Sequence, residues 1–297
     1  MSVRIICAGV ATLDIVLAVD TFTTFGGKQR AREANVVGGG CAATAAVAIA
    51  RLGGRPSLAS RLGDDTFGRL IIDELTGEGV DCDLVRRFPS VRSSFSAVLV
   101  DAHGERHIVN YRDEELEADA AWIAAALPEF DVALGDTRWV EATTALFEVA
   151  RARGKPCVLD AEGPFHHSAR ALQLATHAAF SAAGLCELTG LKVPSAALAG
   201  VASECGGIVS VTDGADGAYW LEGEQVLHAP GFAVQAVDTL GAGDVWHGAF
   251  ALALGEQQKL DEALRFANAA AALKCETPGG RAGAPRREAV EQLLAAN

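Results

Sequence analysis

The sequence predicts a three-layer α/β/α fold, with a mainly parallel central sheet and a small β-strand lid. Three observations predict it. Short runs rich in Val, Ile and Leu alternate with Ala- and Leu-rich helical runs along most of the chain, as repeated βαβ units require. The 297 residues, half of them hydrophobic, bury a substantial core, and parallel strands of this kind are covered on both faces. Two segments, 15–37 and 92–112, break the alternation and have the pattern of antiparallel strands. We therefore expect one domain over 1–297, with the lid drawn from about 15–37 and 92–112.

The elements follow in order. "RIICAGV" opens the first strand, and Asp14 in "VATLDIVLAVD" is expected at the end of that apolar first strand. At the C-terminal edge of a parallel sheet such a carboxylate accepts hydrogen bonds from ligand hydroxyls. The first lid segment, "FGGKQRAREANVV", carries Lys28. Next, "VVGGGCAATAAVAIARLGG" sets Gly38, Gly39 and Gly40 before a helix. This is not the GxGxxG fingerprint, and no acidic residue follows at the expected distance, so a nicotinamide cofactor is disfavoured. "PSLASRLG" is a strand. The second lid segment, "RSSFSAVLVDAHGERHIVNYR", turns at "DAHGER" and carries Asn110 near its end. "DVALGD" is another strand, and Arg138 follows it in "DTRWV", at a strand's C-terminal end where ligands collect. "PCVLDAE", "HAAFSA" and "GIVSVTDG" complete the strand candidates, with "EATTALFEVARARG" and "ALQLAT" as intervening helices.

The most informative stretch is "VDTLGAGDVWHGAFALALG", residues 237–255. Gly241, Ala242 and Gly243 form a tight turn that feeds an apolar helix opening at about Gly243. Orphan amides and the helix dipole make such a turn an anion site, and Asp244 faces whatever anion docks there. His247, one turn further, reads as packing. Cys41 reads as a small buried thiol, and the adjacent His166 and His167 lack the spacing of a helical metal pair.

Composition excludes several functions. A formal net charge of −13 is wrong for a nucleic-acid binder. Apolar stretches such as "AATAAVAIA" fall far short of the ~20 residues a membrane span needs. The N-terminus enters strand-like sequence without a signal-peptide pattern, and seven scattered cysteines without a CxxC pair suit free thiols in a reducing cytoplasm. No membrane or nucleic-acid partner is expected.

Together the motifs resemble the ribokinase-like (PfkB) carbohydrate kinases over nearly the whole chain. "DTLGAGDVWHGAF" is similar to that family's C-terminal signature, "GGGCAATAAVAIARLG" to its N-terminal one, and "VSVTDGADGAYW" and "RFANAAAALKCETPGGRAGAP" to its nucleotide-side segments. The resemblance implies an ATP-dependent sugar kinase in which Asp244 is the general base. The amides of Gly241, Ala242 and Gly243 would hold charge on the transferring phosphoryl group. Asp14, Gly39, Gly40 and Thr44 would hold the sugar. Thr212, Gly214, Gly217, Asn268 and Gly280 would line the ATP side. Mg²⁺ is expected with ATP, and carbonyls of Asp238 and Thr239 are candidate ligands for a monovalent cation. The chain departs from the family where Thr44 replaces an Asn, and where Ser181 and Gly184 replace the Asn and Glu of an N-x-x-E motif that usually organises magnesium. No protein ligand for the metal is therefore assigned.

Within the family the chain is particularly similar to the bacterial sulfofructose kinases, through "VGGG", "AATAAVA", "RLGDD", "VNY", "RW", the Ser–Gly form of the lost motif and "ALKC" with "PGGRAG". That resemblance implies transfer to the 1-hydroxyl of 6-deoxy-6-sulfofructose, with Lys28, Asn110 and Arg138 on the sulfonate. Fructose, fructose 6-phosphate or tagatose 6-phosphate would use nearly the same scaffold. A non-catalytic sugar or nucleotide sensor and a nucleoside kinase are the weaker alternatives. The open-edged lid strands also suggest a homodimer joined through the lid.

Overall fold

The structure, a computed structural model, describes residues 2–22, 26–103, 105–116, 119–163, 165 and 167–297. Gly104 of the "DAHGER" turn and His166 lie outside the described residues. From the N-terminus, β1 (Arg4–Ala8) leads to β2 (Thr12–Ala18), β3 (Glu33–Gly39), α1 (Cys41–Arg51), β4 (Arg55–Gly63) and α2 (Thr66–Gly77). There follow β5 (Val85–Phe88), β6 (Phe95–Val100), β7 (Arg106–Tyr111), α3 (Ala121–Ala126), β8 (Val132–Asp136) and α4 (Val140–Ala152). Next come β9 (Cys157–Ala161), α5 (Ala169–Leu174), β10 (His177–Ser181), α6 (Ala182–Thr189) and α7 (Pro194–Val201). The chain ends with β11 (Ile208–Thr212), β12 (Gly217–Glu222), β13 (Gln225–Pro230), α8 (Ala242–Gly255), α9 (Leu260–Cys275) and α10 (Arg287–Ala296).

Among the described residues the main sheet has nine strands in the order β13-β12-β11-β10-β9-β8-β1-β4-β5. From β11 to β5 every neighbour is parallel, and β12 and β13 add an antiparallel hairpin at one edge. Successive residues point to opposite faces. Ile5 and Cys7 pack under α1, α2, α8 and α9, whereas Ile6 and Ala8 pack under α3, α4 and α5. Both faces are thus covered, as the near-continuous apolar strands demand.

The order of the strands positions the site. β1 lies between β4 and β8, so the chain direction of winding reverses there, and ligands bind outside the C-terminal strand ends at such a switch point. A second sheet, ordered β3-β2-β6-β7, stands over that edge. It shares residues with the segments 15–37 and 92–112 and pairs Asp14 with Val37 on one side and Ser96 on the other.

Asp14 therefore sits on the lid sheet rather than at the end of the first strand. The reason is the break at 9–11: β1 stops at Ala8, and the Val10 N–H leaves the sheet to donate to Asp136 Oδ2 at 2.8 Å. Helix α8 opens at Ala242, one residue earlier than its sequence indicated, because Gly241 takes the left-handed cap conformation (φ 78°) that glycine adopts without strain. This helix is almost wholly buried against α1 and α9. Its Gly248 makes the close approach to α1: a Cβ there would stand 2.5 Å from the Ala45 carbonyl oxygen.

Candidate active site

Two cavities meet across one turn. The first, about 540 Å³, opens between the lid and the main sheet, and Asp14, Gly39, Gly40, Thr44, Asn110 and Arg138 line it. The second, about 530 Å³, is lined by Thr212, Gly214, Gly217, Trp246 and Asn268. Gly241 and Asp244 border the first cavity, while Ala242 and Gly243 border the second. The N-terminus of α8 is the wall they share, so its dipole and amides serve both sides.

The amides of that turn are not equivalent. The Ala242 N–H donates to the Thr239 carbonyl at 3.2 Å, whereas those of Gly241 and Gly243 have no such partner among the described residues. No side chain caps α8, and Gly243 has open space where a Cβ would stand. The N–H groups of Gly241 and Gly243, and that of Asp244 itself, are accordingly left for an incoming anion.

Burial pushes the Asp244 carboxyl up to about 7, and the Asp160 and Glu162 carboxylates push the same way, while His247 and the Cys41 thiol oppose them. The helix dipole favours the ionised group, but burial, reinforced by the crowding of carboxylates, outweighs it. One ligand-type atom each from Cys41, Asp160 and Asp244 lie within 4.8 Å of one another. Asp160, at the end of β9 and 7% exposed, is raised well above the usual carboxylate range by burial and by Glu162 and Asp136. His247 Nδ1 is 2.8 Å from the Gly243 carbonyl and Nε2 is 3.1 Å from that of Ala179.

The lid-side cavity owes its shape to glycines that admit two ionic groups. A Cβ on Gly39 would collide with the Asp14 carboxylate, and one on Gly38 with the Arg281 guanidinium. Burial raises the Asp14 carboxyl, while Ser96, Arg281 and Thr12 counter it. Arg281, 2% exposed, donates to the Gly39 carbonyl (3.2 Å) and to Glu74 (Nε–Oε1 3.0 Å). It was not singled out in the sequence, although it stands in the quoted "PGGRAG".

Other sequence candidates fall differently. Lys28 is exposed and lies outside both cavities. The cations of the lid-side cavity are instead Arg112, Arg138 and Arg281. Arg138 is partly engaged, donating to the Gly163 carbonyl at 2.7 Å and to Glu162 at 2.9 Å. Gly280 borders the lid-side cavity rather than the one with Thr212, because the 279–280 turn is held back by its N–H bonds to Asp238 Oδ2 (3.0 and 3.1 Å). Asn268 borders the far cavity, but its side chain is committed elsewhere. Its Oδ1 accepts from Trp246 Nε1 at 2.8 Å and its Nδ2 donates to the Ala229 carbonyl at 2.9 Å.

Asp136 was also missed. It is buried at the end of β8 and accepts from the backbone of Val10, Ala42, Arg138 and Trp139, which ties the loop after β1, the start of α1 and the loop after β8 together at the switch point. The available signal was a carboxylate closing an otherwise apolar strand.

The positions of the lost N-x-x-E motif do not fit a protein-held magnesium ion. Ser181 caps α6 by accepting the Gly184 N–H at 3.1 Å, and Gly184 has no side chain to offer. The cluster at Asp244 includes a thiol, whereas magnesium takes oxygen.

Comparison with known proteins shows the family and the same fold. The profile described as "pfkB family carbohydrate kinase" matches residues 3–287. The ribokinase of Bacillus subtilis is 30% identical over 98% of this chain and 99% of its own. A protein from Agrobacterium tumefaciens assigned as a ribokinase superposes with a TM-score of 0.92 at 36% identity, covering 100% of this chain and 98% of that one. The Arabidopsis thaliana ribokinase, solved with ribose and ATP, superposes with a TM-score of 0.86 at 26% identity, covering 99% of each chain.

Proposed function

Because the chain belongs to the pfkB family of carbohydrate kinases and is thus an ATP-using sugar phosphotransferase, we propose that the lid-side cavity takes the sugar and the far cavity takes ATP. The observation that carries this reading is the Gly241–Asp244 turn, which has a face in each cavity. Thr212, Gly214 and Gly217 border the nucleotide. Asn268 supports that wall through Trp246. Asp14, Gly39, Gly40 and Thr44 border the sugar.

In this reading the acceptor hydroxyl lies beside Asp244. Its oxygen forms a bond to the γ-phosphorus as the bond to the β–γ bridging oxygen breaks, ADP leaves, and Asp244 takes the hydroxyl proton. The Gly241 and Gly243 amides hold the charge on the transferring group, which is mainly positioning plus electrostatics. Mg²⁺ arriving with ATP would neutralise phosphate charge, with no ligand supplied by Ser181 or Gly184.

The proposed substrate is 6-deoxy-6-sulfofructose, phosphorylated at its 1-hydroxyl. Asn110 on lid strand β7, Arg112 just after it and Arg138 in the loop after β8 all line the lid-side cavity. Glu162 already balances Arg138, so the pair of arginines presents less than two net charges. That suits a singly charged sulfonate better than a dianionic phosphate. Uncharged fructose or ribose, the sugars in the names of related kinases, is the second reading. Steady-state kinetics with MgATP over sulfofructose, fructose 6-phosphate, fructose and ribose tests it. Preference for the sulfonate sugar supports the proposal, and equal use of fructose or ribose overturns it. Exposed Val36 and Val109 on the lid strands support a homodimer joined there, and a monomeric mass in sedimentation would exclude it.

A further inference from the structure

Lys274 is a buried cation. Its side chain, on the last turn of α9, is 0% exposed, and its ammonium donates to the carbonyl oxygens of Asp238 (2.9 Å) and Thr277 (3.1 Å). Asp238 Oδ2 lies 3.5 Å away. The same carboxylate accepts the N–H groups of Leu240 (2.9 Å), Gly279 (3.0 Å) and Gly280 (3.1 Å). Val237 and Asp238 in turn donate their N–H groups to the Cys275 carbonyl, at 2.8 and 3.1 Å. Two segments, 237–240 and 275–280, are thereby laced around one ammonium.

An ammonium removed from water is strongly unfavourable unless oxygens replace its hydration shell. Here the carbonyls of Asp238 and Thr277 and the Asp238 carboxylate stand in its place. That is the donor set a desolvated monovalent cation takes from a protein. The Asp238 carbonyl, a candidate ligand for a free monovalent cation, is occupied by Lys274. Segment 237–240 runs straight into Gly241, and segment 275–280 into the Gly280–Arg281 wall of the lid-side cavity. Whatever fills the socket sets the geometry of both.

We infer that Lys274 is a tethered replacement for a monovalent cation, so that this chain orders its phosphoryl-binding turn without K⁺. The inference rests on the kinase reading for one of its two readouts. The wild-type protein is assayed with MgATP and the sugar it phosphorylates, in chloride salts of K⁺, Na⁺, NH₄⁺ and choline at equal ionic strength. Rates within about twofold across the salts are expected for the wild type. Lys274→Ala is expected to lose tenfold or more of kcat in choline and to regain most of it, saturably, in K⁺ or NH₄⁺. Lys274→Met, which fills the space without charge, is expected to lose activity without rescue. Thermal unfolding supplies an arm that needs no turnover: K⁺ should raise the Tm of Lys274→Ala over choline and leave the wild type unchanged. Several-fold stimulation of the wild type by K⁺ overturns the inference. So does a Lys274→Ala defect equal in all four salts by both rate and Tm. Absence of turnover with every sugar would instead count against the kinase reading and leave the unfolding arm decisive.

Discussion

His247 Nε2 lies 3.6 Å from Asp160 Oδ1, and both groups are buried beside Asp244. The imidazole is three residues along α8 from Asp244, hence on the same helix face. Burial and then Asp160 raise the Asp244 carboxyl and the imidazole opposes them, while burial lowers the imidazole itself. The protonation of the proposed base is therefore set by a buried triad rather than by the helix end alone.

The pH dependence follows from that triad. A base raised to about 7 is active above that pH and loses its function as pH falls through it. Asp160→Asn removes a repelling carboxylate, so the acid limb of kcat/KM should move to lower pH. His247→Asn removes the opposing group, so the limb should move to higher pH, with activity regained near pH 9. Profiles from pH 5.5 to 9 read both. Limbs that stay in place in both variants would mean that the triad does not control the base.

Asp244→Asn keeps the size of the side chain and removes its basicity. Loss of general-base assistance should lower kcat by ~10²–10⁴. Sugar and nucleotide affinities, measured by calorimetry, should stay within a few-fold of wild type. A loss of both affinities together with kcat would indicate a collapsed turn.

Arg138→Ala tests the recognition of an anionic tail. Loss of one charge-assisted hydrogen bond, ~1.5–3 kcal/mol, corresponds to roughly a tenfold to hundredfold drop in kcat/KM for the sulfonate sugar. Fructose turnover should change much less. Because Arg112 also lines the cavity, Arg112→Ala should reduce the same preference, whereas Lys28→Ala should not.

What could be read in the sequence was what is local. The strands β1, β4 and β8 to β11 and the helices α1, α4 and α8 each carry their own apolar pattern, and the two glycine turns mark backbone that must approach something closely. Pairings distant in sequence were hidden. Arg281 meets Glu74 and the Gly39 carbonyl, Asp136 meets the Val10 N–H, and Lys274 meets the Asp238 carbonyl; none lies within one periodic segment. Its position in the chain makes Lys28 a lid cation, but the whole 26–30 segment is exposed and its side chain lies outside both cavities. Ser181 and Gly184 were read as a lost motif, and the structure gives them a local task as a helix cap.

Gly38→Ala would place a methyl group where the Arg281 guanidinium now lies. Arg281 cannot retreat without leaving Glu74 and the Gly39 carbonyl. Overpacking of this kind costs about 1–3 kcal/mol. Chemical denaturation should show a lower midpoint at unchanged m-value. A variant as stable as wild type would mean that Arg281 has a second low-energy position.

Gly248→Ala should separate stability from catalysis in a different way. The added Cβ would stand 2.5 Å from the Ala45 carbonyl oxygen, which is backbone and cannot rotate aside, so α1 and α8 must move apart. The N-terminus of α1 carries Cys41 and Thr44 in the lid-side cavity, and that of α8 carries the turn ending in Asp244. A displacement of the order of 1 Å between a bound substrate and its catalytic group can cost ~10² in rate. We expect kcat to fall by more than the stability loss explains, with the KM for ATP nearly unchanged because the walls of the far cavity come from β11, β12 and α9 as well as α8. Equal losses in kcat and in ATP affinity would mean that α8 moves as a body with the nucleotide side, and that the spacing between α1 and α8 is not what aligns the sugar with Asp244.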